Sequence, residues 1–269
     1  SFPTRRSSDL GLNMEGIVKL SISHFLLIYL LLIIVLLIMK KSKVTQTKLL
    51  LVASLRMTIQ LIIIGYILQY VFSNPNPIFT VAFLVIMIIF SIHRVITSRK
   101  DLNNNFKIAI GISLTFSGLF VLIFFVTIVV GKSISNPQYT IPLAGMIIGN
   151  AMTGVNIAIK TFMDDISKEK DKINTLLNLG VEPKNILKPF ANNAFETALI
   201  PTINSMLGMG IIFLPGMMTG QMLSGTLPTT AIMYQISIMI AICCSVCTTV
   251  FLSLNLGYKS LYNNRKQFL

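Results

Sequence analysis

The chain has 269 residues, of which 54 % are hydrophobic and only 12 % charged, with no tryptophan and a formal net charge of +13. A water-soluble domain needs about a quarter of its residues charged to cover its surface, so this composition excludes an ordinary soluble enzyme. The apolar residues fall in runs of roughly 20, the length that crosses a bilayer. The reading is an all-α, polytopic helical protein with the lipid bilayer as its surroundings.

The chain opens on "FPTRRSSDL", which is what a common sequencing-library adapter gives when translated in one frame. Residues 1–13 are therefore expected to be a non-native extension before Met14, leaving 14–269 as a single membrane domain. Setting aside Arg5, Arg6 and Asp9 lowers the net charge by only one, so the basic surplus belongs to the rest of the chain.

About seven apolar segments follow, near 20–39, 49–72, 78–97, 107–130, 141–162, 191–214 and 229–253. Their connections alternate in charge. The first carries Lys40, Lys41, Lys43 and Lys48, and the second, "SNPNP", carries none. The third has Arg94, Arg99, Lys100 and Lys107, and the fourth only Lys132. The fifth is rich in lysine from Lys168 to Lys188, the sixth is uncharged, and the tail holds Lys259, Arg265 and Lys266. Basic loops stay in the cytoplasm. The expected orientation has the amino terminus outside and the carboxyl terminus inside, and it accounts for the basic charge with no nucleic-acid partner.

Polar residues inside the spans are the candidate functional groups. In the second span Arg56 and Gln60 lie four apart, on one helical face. An arginine near the bilayer centre costs about 2.5–3.5 kcal/mol on insertion scales, so it faces a partner or water unless it snorkels to the interface. In the fifth span "GMIIGNAMTG" aligns Gly145, Gly149 and Thr153 on one face, with Asn150, Gly154 and Asn156 beside it. Small residues let membrane helices pack closely, and amides are costly in lipid. That face is expected either to pack or to line a passage.

The fifth connection, 164–190, is the only one long enough for structure of its own. Ile166, Ile173, Leu176 and Leu177 recur at helical spacing, Gly180 is placed to end the helix, and Pro183 opens a second one. The sixth span contains Pro201, which should kink it, then Asn204, Ser205 and Gly208, and a break at Pro215–Gly216. Methionines including Met217 and Met218 gather there, and Cys243, Cys244 and Cys247 sit in the seventh span without a nearby histidine. Thioethers and thiols suit soft metals, although both also serve as core filler. The stretch "GKS" at Gly131 to Ser133 has Val126 where a phosphate-binding loop needs its first glycine, so nucleotide is not bound there.

Taken in order, "RMTIQLIIIGYIL", "PLAGMIIGNAMTGV", "ALIPTINSM", "LPGMMTG" and "YQI" resemble the FetB-type permeases. These are membrane subunits of a bacterial ABC exporter linked to iron, related to plant aluminium-tolerance permeases. The resemblance runs from about residue 20 to 266. Arg56, Gln60, Gly145, Gly149, Asn150, Pro201, Pro215 and Gly216 fall on its motifs, whereas Glu196, the cysteines and many methionines do not. At Asn204 relatives carry an acid, which puts direct charge pairing with a metal in doubt.

The resemblance implies a transport subunit rather than an enzyme, in a bacterial plasma membrane. It would bind no cofactor itself, and ATP would be hydrolysed on a separate cytoplasmic ABC ATPase in a two-plus-two complex with a permease homodimer. "INTLLNLGVEP" resembles a coupling-helix motif, which gives Ile173, Leu176, Leu177, Leu179 and Gly180 as the expected ATPase contacts. Arg56, Gln60, Asn150, Asn156, Asn204, Met217 and Met218 are the candidates for the substrate path. Iron or another metal is the expected cargo. The alternatives are organic or sugar-nucleotide cargo, a secondary transporter or channel that needs no nucleotide, and a non-transporting scaffold.

Overall fold

The computed structural model describes residues 21–74, 76–99 and 102–262. The adapter-like stretch 1–13, Lys100, Arg265 and Lys266 lie outside these described residues. In chain order the helices are α1 (Ile22–Lys41), α2 (Thr47–Ser73), α3 (Pro77–Ser98), α4 (Asn104–Phe124), α5 (Pro137–Lys168), α6 (Lys170–Asn178), α7 (Pro183–Gly208), α8 (Gly216–Leu223) and α9 (Pro228–Gly257). A π-helical turn, Phe125–Val129, prolongs α4, and a 3₁₀ turn, Tyr258–Leu261, follows α9.

Six of the described helices are long and apolar enough to cross a bilayer: α1 to α5 and α9. The protein is a helical, multi-pass membrane protein. The remaining predicted span, 191–214, corresponds to α7, which is long enough but more polar. Its first half carries Lys184, Lys188, Asn192, Asn193 and Glu196. It also stops at Gly208, earlier than expected. Beyond that point Ile212 N and Phe213 N donate back to Gly208 O, and Gly210 N donates to Phe213 O. The turn thus satisfies its own backbone groups before α8 begins, as a break at membrane depth requires.

Two helices start on the same device. Asn76 and Asn136 each cap a helix by accepting from the backbone two residues on, at 3.0 Å, and Pro77 and Pro137 occupy the first helical position. Asparagine accepts an orphan N–H there, and proline has none to leave unpaired. The end of α6 is equally local. Val181 N donates to Leu176 O and Gly180 N to Leu177 O, with Gly180 at φ +84°. That paired closure needs a left-handed residue, which glycine adopts without strain.

The chain divides into two compact units. The first holds residues up to Pro75 together with Gly220–Leu227. Its α1 and α2 are exposed along almost their whole length and mostly apolar, as lipid-facing helices are, with Arg56 and Gln60 as polar exceptions on α2. They share one polar rung, Tyr29 Oη to Thr58 Oγ1 at 2.6 Å.

The second unit, Asn76–Thr219 with Pro228 onward, contains the packed core. There α5 touches α3, α4, α7 and α9, and α4 and α9 pack along each other. Small residues set the spacing. A Cβ on Gly154 would lie 2.7 Å from Val246 Cγ1, one on Gly118 would lie 3.2 Å from Ile148 Cγ1, and one on Gly257 would lie 2.6 Å from the ring of Phe106. Hydroxyls supply the polar glue, since Ser117 bonds Thr248 and donates to Ser245 O at 3.3 Å. In lipid, which offers no hydrophobic drive between helices, close packing and such bonds hold the bundle together.

Candidate functional site

Where α5, α7 and α9 meet, a cleft of about 70 Å³ opens beside the glycine face of α5. Asn150, Thr153 and Gly154 line it from α5, Pro201, Thr202 and Ser205 from α7, and Met239 from α9. It has room for roughly two waters, at about 30 Å³ each. Much larger grooves lie between α1 and α2, about 420 Å³, and along α3 and α4, about 630 Å³. Both are lined almost wholly by apolar side chains, which is the surface lipid wants, whereas the small cleft carries polar ones.

The helix periodicities explain the cleft. Asn150 and Gly154 are four apart and share a stripe of α5, and Thr153 borders it. Asn150 Nδ2 donates to Met146 O at 2.7 Å and Thr153 Oγ1 to Gly149 O at 3.0 Å, so both side chains fold back on their own helix. The amide oxygen of Asn150 then remains an acceptor at the mouth. Across the cleft, Pro201 lacks the N–H that would close the helix onto Thr197 O, and Ser205 Oγ donates to Pro201 O at 2.9 Å. The cleft is neutral, offering hydroxyls, an amide oxygen and a thioether. Among the described residues no group of three His, Cys, Asp or Glu side chains could hold a metal ion.

The other predicted residues are spread out. Arg56 and Gln60 are exposed on α2, in the first unit, whereas Asn150 belongs to the second. Asn156 is turned from the cleft towards α3 and accepts from Ser98 Oγ at 3.0 Å. Asn204 is exposed on α7, Met218 is buried in α8, and Met217 packs against the core. A Cβ on Gly145 would lie 3.2 Å from Met87 Cε of α3, whereas one on Gly149 would meet nothing within 4 Å.

In the connector, Ile173 is buried and Leu176 and Leu177 pack on the core of their own chain, while Leu179 is 75 % exposed at the turn beside Gly180. Four lining residues of the cleft escaped the sequence reading: Ile157, Ala198, Thr202 and Met239. The signal for Met239 was its place one turn before Cys243 on the same face.

At the end nearest the α6 connector the bundle is tied by polar contacts. Arg99 pairs with Asp164 and donates to Lys160 O, holding the end of α3 on α5. Asn193 Nδ2 donates to Asp165 Oδ2 at 2.7 Å, holding α7 on α5. On the far side of the cleft Gln235, 7 % exposed, donates to Met209 Sδ at 3.7 Å, and its Oε1 has no hydrogen-bond partner.

The model of one family, described as an uncharacterised protein family, UPF0014, matches residues 22–262, the whole helical body just described. The chain belongs to the UPF0014 family. It is 28 % identical over 233 residues to the UPF0014 membrane protein YjkA of Bacillus subtilis, covering 85 % of this chain and 90 % of the relative. It is 31 % identical over 235 residues to the probable iron export permease protein FetB of Escherichia coli, covering 85 % and 87 %. It is 30 % identical over 184 residues to Protein ALUMINUM SENSITIVE 3 of Arabidopsis thaliana, covering 68 % and 66 %. No solved structure matches the chain. The chain is thus a UPF0014 membrane protein, and one of its relatives is named a probable iron export permease.

Proposed function

We propose that this UPF0014 chain is the permease subunit of an ATP-driven exporter of iron or another metal, working as a pair with a separate cytoplasmic ATPase. The observation that carries the reading is the polar cleft at the meeting of α5, α7 and α9, beside Pro201 of α7 and on the two helices that the α6 connector joins. The relative named as a probable iron export permease, alike over 85 % of this chain, supports the cargo class. The alternation of basic and uncharged loops supports an orientation with the amino terminus outside and α6 in the cytoplasm.

The mechanism follows from size and stiffness. A cleft of about 70 Å³ admits a partly dehydrated ion but no chelate, so cargo passes only if α5, α7 and α9 separate. The connector is built to drive that. Ile173 is buried and Leu176 and Leu177 are packed, so α6 moves with the ends of α5 and α7 that it touches. Leu179 and Val181 project from its turn as the surface that a motor would grip. ATP-driven closure of the motor would tilt α6 and bias the bundle between an inward and an outward packing. Direction then comes from a lower affinity for cargo in the outward one.

Inverted vesicles containing the chain and its ATPase are the test. They should take up ferrous iron only with ATP, and Asn150→Leu should slow uptake while the two proteins still copurify. Uptake that needs no ATP would favour a secondary transporter instead, and normal uptake by Asn150→Leu would remove the cleft from the path.

A further inference from the structure

Among the described residues Gln235 is the bulkiest polar side chain that the packed unit buries, at 7 % exposed. It stands about two turns into α9, and its Nε2 donates to Sδ of Met209, the residue that ends α7, at 3.7 Å. A thioether is a weak acceptor. The amide oxygen is enclosed and meets no donor among the described residues. Turning the amide over exchanges its two ends, so either orientation strands one of them. A buried polar group without a partner costs free energy that an apolar side chain of similar size would not. Such groups are rare, and one that persists points to a partner that comes and goes.

The surroundings say which partner. Contacts descend α7 as they climb α9: Gln235 meets Met209, Met239 lines the cleft beside Thr202, and Phe251 meets Phe195. The two helices therefore run antiparallel. Gln235 is one turn from Met239 on α9, and Met209 is one turn from Ser205 on α7, both of which line the cleft. The amide and thioether thus stand about 6 Å beyond the cleft lining along both helices, towards the break after Gly208.

The dimensions fit one cation. With the amide turned over, its oxygen takes the place of Nε2, 3.7 Å from Met209 Sδ. Two ligands of a tetrahedral divalent metal, oxygen at about 2.1 Å and sulfur at about 2.3 Å, are about 3.6 Å apart. Oxygen beside sulfur suits a cation between hard and soft. We propose that Gln235 Oε1 and Met209 Sδ form a weak binding site for a partly hydrated divalent transition-metal cation, the station next to the cleft on the way to the break. Water completes the coordination shell. Both donors are neutral, so binding releases no proton and the ion is held loosely enough to leave. The station's place on a route rests on the export reading, whereas binding itself needs neither ATP nor the ATPase.

The test is anaerobic thermal melting of the full chain in nanodiscs, with and without millimolar ferrous chloride. At about tenfold excess over its dissociation constant, the ion should raise the melting temperature by about 3–6 °C. Gln235→Leu should melt at least as high as the parent chain without iron, because it removes a stranded polar group, yet lose most of the gain. Met209→Leu conserves volume and should reduce the gain with the packing kept. Ser237→Ala removes a hydroxyl that donates to Met233 O on its own helix, and it should keep the gain. The site is overturned if the parent chain gains nothing or if Gln235→Leu keeps the gain. It is equally overturned if Gln235→Leu melts several degrees lower without iron, which would make the amide structural. Absence of ATP-driven uptake, with the gain still following Gln235, would end the export reading and leave the binding site standing.

Discussion

Gly154→Ala adds one methyl group at the tightest point between α5 and α9. The new Cβ would sit 2.7 Å from Val246 Cγ1 and 3.4 Å from Val250 Cγ2. Ordinary carbon contacts lie near 3.5–4.0 Å, so α9 or Val246 must yield by about 1 Å. Valine in a helix has essentially one rotamer, so Val246 cannot swing aside, and it is itself 1 % exposed. The expected cost is that of overpacking a tight core, about 1–3 kcal/mol. At about 2–4 °C per kcal/mol for a domain of this size, the melting temperature should fall by several degrees.

Thermal melting of the purified chain, followed by size-exclusion chromatography in detergent, reads this directly. Val246→Ala removes the obstructing methyls, so the double variant should recover part of the loss, with a coupling of about 1–2 kcal/mol. Gly149→Ala is the control, because a Cβ there meets nothing within 4 Å and a helix gains from alanine. The reasoning is refuted if Gly154→Ala melts with the parent chain, or if Val246→Ala gives it no relief.

Three further outcomes are expected. Gly180→Ala puts a side chain at φ +84° and should cost about 1–2 kcal/mol, seen as faster hydrogen exchange across 176–183 than in the parent chain. Leu179→Asp, at an exposed tip, should leave the melting temperature unchanged but abolish copurification with the ATPase, whereas Leu177→Asp should also destabilise the chain because Leu177 packs on the core. Arg99→Gln breaks a partly exposed ion pair, so global stability should change by at most about 1 kcal/mol, while the last turn of α3 exchanges its amides faster.

Much of the architecture was legible in the chain itself. Apolar runs located most of the spans to within a few residues, and Gly180 and Pro183 bounded the connector helix. The sixth predicted span was the least legible. Its polar first half and its stop at Gly208 depend on how Phe213 folds back over Gly208, where a Cβ would lie 2.9 Å from the ring. No local pattern announces that contact.

The site shows the same division. Periodicity placed Asn150, Thr153 and Gly154 together on α5, because neighbours on a helix follow from spacing alone. Which partner each would meet did not follow. Asn156, two residues beyond Gly154, faces Ser98 of α3 rather than the cleft, and the tightest spot among the glycines of α5 falls at Gly154, with Gly149 left open.

By itself the sequence determined the solvent, the helical class, the approximate limits of most of the membrane helices and the turn chemistry that joins them. The reason is that a bilayer forces each segment to satisfy its own backbone and to be apolar over a fixed length. Only the tertiary structure decided which faces of α5, α7 and α9 enclose a cavity, and that Met239 of α9 lines it beside Ala198 and Thr202 of α7. Those relations join residues far apart in the chain, and they are set by shape complementarity between helices that lipid itself does not drive together.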